Sequence, residues 1–260
     1  MNSRYEEQTT EVAWQYLKRL EKQQQEQETG GVWTELNLSL KDAVVKPIER
    51  SLAKEIIEEY EWLGCMPAIT QYYFGIFFED VCGGVVVFGT EYSENTGVWD
   101  KYGYTGKMIL LSRGVCLHWT PKNTNSKLVM GAIALLPEKY EVVTCTIDSL
   151  AGEFGTIYQA CNFYYVGSMR EKDGKSRPRI GVLIDGKLYG SRSIKAKFGT
   201  RKKDEILKQR PDAKFVEQKS KGRYFIFRGD KNTKKKHLLA IQHLLKPYPK
   251  RTKLFEGENE

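Results

Sequence analysis

Three clusters in this sequence hold residue types that could do chemistry. In "TCTIDSLAGE", Asp148, Ser149 and Glu153 follow an apolar, β-branched run, which places them at the C-terminal end of a strand. Ligands of open α/β sheets collect at such ends, and two carboxylates there suit general acid/base work. Asp148 equally suits the duty of capping the helix that follows. In "YEWLGCMP", Glu61 lies between Tyr60 and Trp62, ahead of a Gly/Pro turn. Rings on such a loop can stack on an unpaired base, or simply pack into the core. In "TPKNTNSK", the residues Lys122, Asn123, Thr124, Asn125 and Ser126 separate a strand from a helix. Polar residues at a helix N-terminus suit an anion such as a pyrophosphate, although ordinary capping explains them as well. Cys161, beside Asn162, has no histidine near it in sequence and makes a poor thiol nucleophile.

The chain must supply elements that position these groups. A helix is expected over "TEVAWQYLKRLEKQQQEQET", then a linker ending near residue 31. "AVVKPIE" reads as a strand and "LAKEIIEEY" as a helix capped by Ser51. "YYFGIFFEDVCGGVVVFG" reads as a hairpin, "KMILLSRGVCL" as a strand, and "KLVMGAIALL" as a helix capped by Ser126. "YEVVTCTID" is a strand, "FGTIYQACNF" a helix, "YYVG" a strand, and "RIGVLIDGKLYGSRSI" a hairpin turning at Asp185-Gly186. This alternation predicts a mixed α/β sheet with helices on its faces.

Charge divides the chain. Residues 192–253 hold 21 Lys and Arg against 5 Asp and Glu, a balance of +16, within a whole-chain net charge of +8. The remainder is therefore mildly acidic, at −8. A basic C-terminal quarter on an acidic body points to a polyanionic partner, or to no more than a solvated lysine-rich surface. That quarter reads as a small α+β extension with a strand "RYFIF" and a last helix stopped by Pro247 and Pro249. The expected division is 1–31, helix and linker; 32–191, catalytic body; 192–253, basic nucleic-acid-binding extension; and 254–260, tail. Five cysteines without a CxxC pair suit reduced thiols, and three histidines make a zinc site unpromising. No apolar run approaches the length that spans a bilayer, and the N-terminus lacks a signal pattern, so a cytoplasmic location is expected.

"YEWLGCMP", "YYFGIFF…GGVVVFG", "LLSRGVCL…TPKNTNSK" and above all "GTIYQACNFYYVG" together resemble the Mom family of bacteriophage DNA-modification proteins, over roughly residues 45–253. The resemblance implies a GNAT-like acyltransferase fold, with a mainly antiparallel central sheet flanked by helices. It implies an enzyme that converts adenine in double-stranded DNA to a carbamoylmethylated form (methylcarbamoylation), in the host bacterium's cytoplasm, blocking restriction. It carries over Arg113, Asp148 and Tyr158 as site residues, beside Glu61 and Glu153. Acetyl-CoA would be bound by the 122–126 loop and Asn162. Tyr60 and Trp62 would stack on a flipped base, and Arg201, Lys202, Lys203, Arg223, Lys234, Lys235 and Lys236 would meet phosphates. The family often has a histidine where this chain has Tyr60-Glu61, and some members have one at Glu153. An Fe(II) site here would therefore rest on the oxygens of Glu61 and Asp148. Two other readings stay open. One is a GNAT-type acetyltransferase of a protein or small-molecule amine; the other is a DNA-binding protein without chemistry.

Overall fold

A computed structural model describes residues 12–29, 38–91, 97–168, 171–172, 175–176, 179–184, 187–189, 194, 198–218 and 221–250. The N-terminal helix is α1, Trp14–Thr29. The body begins with β1, Val44–Pro47, and α2, Arg50–Tyr60. Next come the hairpin β2, Tyr72–Phe78, with β3, Val81–Gly89, then β4, Met108–Cys116, and α3, Thr124–Leu135. Strand β5, Val142–Ile147, the short helix α4, Thr156–Ala160, and β6, Tyr164–Ser168, complete this run. The expected order of strands and helices is thus present. Two caps differ from expectation. Helix α2 starts two residues earlier with Glu49 as its N-cap, and Asn123, in a left-handed conformation, caps α3 in place of Ser126.

Small elements follow: β7, Glu171–Lys172, and β8, Lys175–Ser176, then β9, Arg179–Ile184, and β10, Lys187–Tyr189. The last pair is the expected hairpin; its turn at Asp185-Gly186 lies outside the described residues. Helix α5, Lys203–Gln209, strands β11, Lys214–Gln218, and β12, Gly222–Phe227, and helix α6, Lys231–Ile241, end the fold. The central sheet has seven strands in the order β1-β2-β3-β4-β5-β12-β6, while β10-β9-β11 form a second, three-stranded sheet. Every neighbouring pair in the central sheet is antiparallel except β4 with β5, which is parallel. The sheet is mixed and mainly antiparallel. The "RYFIF" strand, drawn from the basic segment, is β12 and sits between β5 and β6.

Strand alternation explains why helices cover both faces. Val86 and Phe88 of β3 pack with Leu128, Val129 and Ala132 of α3, whereas Val85 and Val87 pack with Ala53, Ile56 and Ile57 of α2. Successive side chains of a strand point to opposite faces, so α2 and α3 lie on opposite sides. Toward the other edge, Phe225 and Phe227 of β12 join Trp99, Tyr104 and Ile241 of α6. Full burial of each such Val or Phe stabilises by roughly 1.5–3 kcal/mol.

Candidate active site

The site begins where two strands part. Strands β4 and β5 pair only from Met108↔Val142 to Leu111↔Cys145, yet β4 continues to Cys116 and β5 to Ile147. At the parting, the β3–β4 register shifts between Val87 and Phe88, leaving Ser112 as the extra residue of a β-bulge. A bulge bends its strand and can terminate pairing, which gives a physical cause for the split. The Ser112 hydroxyl donates to the Val87 carbonyl at 3.0 Å and pins it. A cleft of about 550 Å³ opens there, walled by Leu111–Cys116, Thr146 and Ile147, the 152–159 segment, the Glu61–Leu63 turn and the start of α1.

Glu61 is the buried carboxylate of this cleft. It ends α2, and its Oε2 accepts from the Leu63 N–H at 3.1 Å. Burial pushes its pKa up from 4.5 to about 7; Arg113 opposes that rise and Glu153 adds to it. Arg113 Nε lies 3.9 Å from Glu61 Oε2. The guanidinium is held in place by the Cys65 carbonyl at 3.2 Å and the Ser112 carbonyl at 2.7 Å. Glu153 accepts from the Trp62 indole N–H at 2.8 Å and from the Asp148 backbone N–H at 2.7 Å. Burial raises its pKa too. A titratable carboxyl, an arginine and an aromatic ring therefore share one wall.

Tyr158 also lines the cleft, and burial keeps its hydroxyl protonated, its pKa raised well above 10. Gln159 holds this part of the wall together, donating to the Phe154 carbonyl at 2.8 Å and the Tyr224 oxygen at 3.0 Å. The entry to α4 requires glycine. Gly155 has φ +73°, and a Cβ there would come within 2.6 Å of the Tyr224 ring. Asn162, at φ 58°, closes α4 in the left-handed region that amides tolerate; it is exposed and lies off the cleft wall. That accounts for the "GTIYQACN" pattern.

The other expected residues are placed as follows. Asp148 sits beside the cleft, its carboxylate 3.3 Å from Lys221. Of the 122–126 loop, Asn125 lines the cleft; Lys122 and Asn123 are exposed, Thr124 is buried and Ser126 half-buried. Trp62 lines the cleft in a T-shaped contact with Trp14, with ring centroids 5.0 Å apart. Tyr60 is turned away from it, its hydroxyl on Glu26 at 3.2 Å and its ring under Lys22. Arg201, Lys202 and Lys203 are exposed around the start of α5, and Lys234, Lys235 and Lys236 are exposed on α6. Arg223 is committed elsewhere: both its terminal nitrogens bind the buried Glu91 carboxylate, and its guanidinium covers the Trp99 ring.

Sequence reasoning missed the contribution of α1, whose Gln15, Tyr16 and Arg19 line the cleft beside Ala13. It missed Lys221 and Lys250 on the rim as well. No local motif marks them, because each meets the site only through the tertiary fold. Among the described residues, no group of three or more His, Cys, Asp and Glu comes together. Glu61 and Asp148 do not make a ligand set for iron: one faces Arg113 and the Leu63 N–H, the other Lys221. No helix among the described residues is long and apolar enough to cross a membrane.

Fold and cleft together define a mixed α/β protein in which a gap between parallel strands holds a buried acid. The chain belongs to the Mom protein family, whose family model matches residues 42–250. No curated protein matched the sequence. Among solved structures, it is similar to a spermidine N-acetyltransferase from Vibrio cholerae in complex with CoA and spermine, at 8% identity and TM-score 0.38, covering 76% of this chain and 99% of that one. It is also similar to a putative phosphinothricin N-acetyltransferase, at 11% identity and TM-score 0.37, covering 73% and 100%. A Bacillus subtilis acetyltransferase in complex with CoA gives 9% identity and TM-score 0.34, covering 72% and 100%. Likenesses this distant carry no argument about the site.

Proposed function

We propose that this protein is a DNA-modifying transferase, which adds an acetyl-CoA-derived group of the carbamoylmethyl kind to N6 of adenine and so shields DNA from restriction. It would act on double-stranded DNA in the cytoplasm of a phage's bacterial host. The observation that carries this reading is the gap between β4 and β5, with Glu61 poised near neutrality beside Arg113.

The gap fits acetyl-CoA. Beyond Leu111 and Cys145, the facing edges of β4 and β5 have no ladder partner among the described residues, since their other edges pair with β3 and β12. An extended, amide-bearing pantetheine arm complements such edges as an added strand would. The first-turn N–H groups of α3, with Lys122 and Asn125, suit its pyrophosphate. Bound there, acetyl-CoA would supply the activated two-carbon unit. Glu61, half ionised near pH 7, is placed to accept the proton that adenine N6 loses when its nitrogen is substituted, the duty a base tuned to the working pH does well. Completing a carbamoylmethyl group from an acetyl unit would also take a two-electron oxidant at the methyl carbon and an amide nitrogen donor. Arg113 keeps that carboxylate charged and aimed, and Trp62 offers its face to the base.

Adenine N6 lies inside the duplex, so the base must leave the stack to reach the cleft. Arg19, Arg113, Lys221 and Lys250 on the cleft wall give the approach a positive potential, and the exposed lysines of α6 extend it. The test is nucleoside mass spectrometry on DNA from expressing cells fed doubly 13C-labelled acetate. A heavier deoxyadenosine carrying the label is expected. Unmodified deoxyadenosine alongside folded protein overturns the reading and favours an amine acetyltransferase.

A further inference from the structure

Helix α1 lies outside the residues matched by the family, yet it touches the one turn that carries Glu61. Gln15 uses both ends of its amide on that turn. Its Nε2 donates to the Tyr60 carbonyl at 2.8 Å, and its Oε1 accepts from the Trp62 N–H at 3.0 Å. These are the backbone groups on either side of Glu61. Trp14 makes a T-shaped ring contact with Trp62, whose indole N–H holds Glu153. The helix is anchored to the body at further points. Arg19 donates to the His118 carbonyl at 2.6 Å, and Glu26 meets both the Tyr60 hydroxyl and His118. Its start lies directly on Gly152, where φ is +69° and a Cβ would come within 2.8 Å of the Ala13 Cα. The site is shaped to receive this helix.

We propose that Gln15 is a positioning residue for Glu61, so that α1 is a working part of the active site rather than an appendage to it. An amide that fixes the backbone before and after a side chain fixes where that side chain points. It also closes the turn against water, which keeps the carboxyl buried. The inference rests on the reading of Glu61 as the proton acceptor. The charged groups that share the cleft with Glu61 are Arg113 on β4, Glu153 ahead of α4, Arg19 on α1, and Lys221 and Lys250 on the rim.

The test is a pH titration of glutamate 13Cδ resonances in the full chain, with Glu61→Gln used to assign the Glu61 signal. In Gln15→Leu, which keeps the bulk and loses both hydrogen bonds, the turn admits water and the Glu61 midpoint falls by about one pH unit. The fraction of modified adenine falls about tenfold in the same variant, the loss expected when a reacting group is misplaced. Gln15→Met replaces it if the leucine variant does not fold. An unchanged Glu61 midpoint in the folded variant overturns the proposal, whatever the rate. If Glu61→Gln itself still modifies DNA, the reading of Glu61 fails, while the titration still decides the role of Gln15.

Discussion

Glu61→Gln should make the protein more stable, and only at high pH. The folded state holds this carboxyl at a pKa of about 7, whereas an exposed chain holds it near 4.5. A raised carboxyl pKa means that ionisation opposes folding. The cost is absent below pH 4.5, grows between 4.5 and 7, and is complete above 7. At about 1.36 kcal/mol per pH unit, the full cost is about 3 kcal/mol. Glutamine has the same shape, carries no charge, and keeps an oxygen for the Leu63 N–H. The attraction of Arg113 at 3.9 Å and the repulsion of Glu153 are already contained in the folded-state pKa, so neither changes this figure. The net expectation is a gain of about 3 kcal/mol at pH 8.5 and almost none at pH 4.5. Urea unfolding of both proteins at the two pH values measures it. A variant that is destabilised at pH 8.5, or whose difference is the same at both pH values, refutes the argument for a buried, raised carboxyl.

Other expectations follow from single residues. Gly155→Ala must place a β-carbon at φ +73° against the Tyr224 ring, and should cost about 2–4 kcal/mol in denaturant unfolding. Arg223→Ala should cost about 3–5 kcal/mol by stranding the buried Glu91, although the arginine lies in the basic quarter; calorimetry reads it as a large fall in Tm. Replacing Lys234, Lys235 and Lys236 with Gln should leave Tm unchanged, because all three are exposed on α6. It should weaken duplex DNA binding and reduce the slope of log affinity against log salt by up to about 3, as measured by fluorescence anisotropy.

The sheet was legible because its strands are apolar and β-branched and its turns carry glycine or amides. The alternation in "VVVF" even assigns α2 and α3 to opposite faces, since Val85 and Val87 must point away from Val86 and Phe88. The place of "RYFIF" was not legible. Its charged surroundings read as an extension, whereas its register is set by β5 and β6, which are distant in sequence. Charge misled in the same region: Arg223 looks like its neighbours in sequence but is the buried partner of Glu91. Residue type and family resemblance pick out Asp148, Glu61, Arg113, Glu153 and Tyr158; the last four line one cleft, whereas Asp148 stands beside it against Lys221. The cause of that cleft, a bulge at Ser112, is a matter of register and leaves no mark in local sequence. Nor does Gln15, which acts through backbone groups 45 and 47 residues away.

The central claim is that Glu61, in the gap between β4 and β5, carries out proton transfer in modifying adenine. Its most direct test is mass spectrometry of nucleosides from DNA of cells expressing either the native protein or Glu61→Gln, at matched levels of folded protein. The account predicts a heavier deoxyadenosine with the native chain and its loss with the variant. Equal modification by both would contradict it, and would move the chemistry away from this carboxyl.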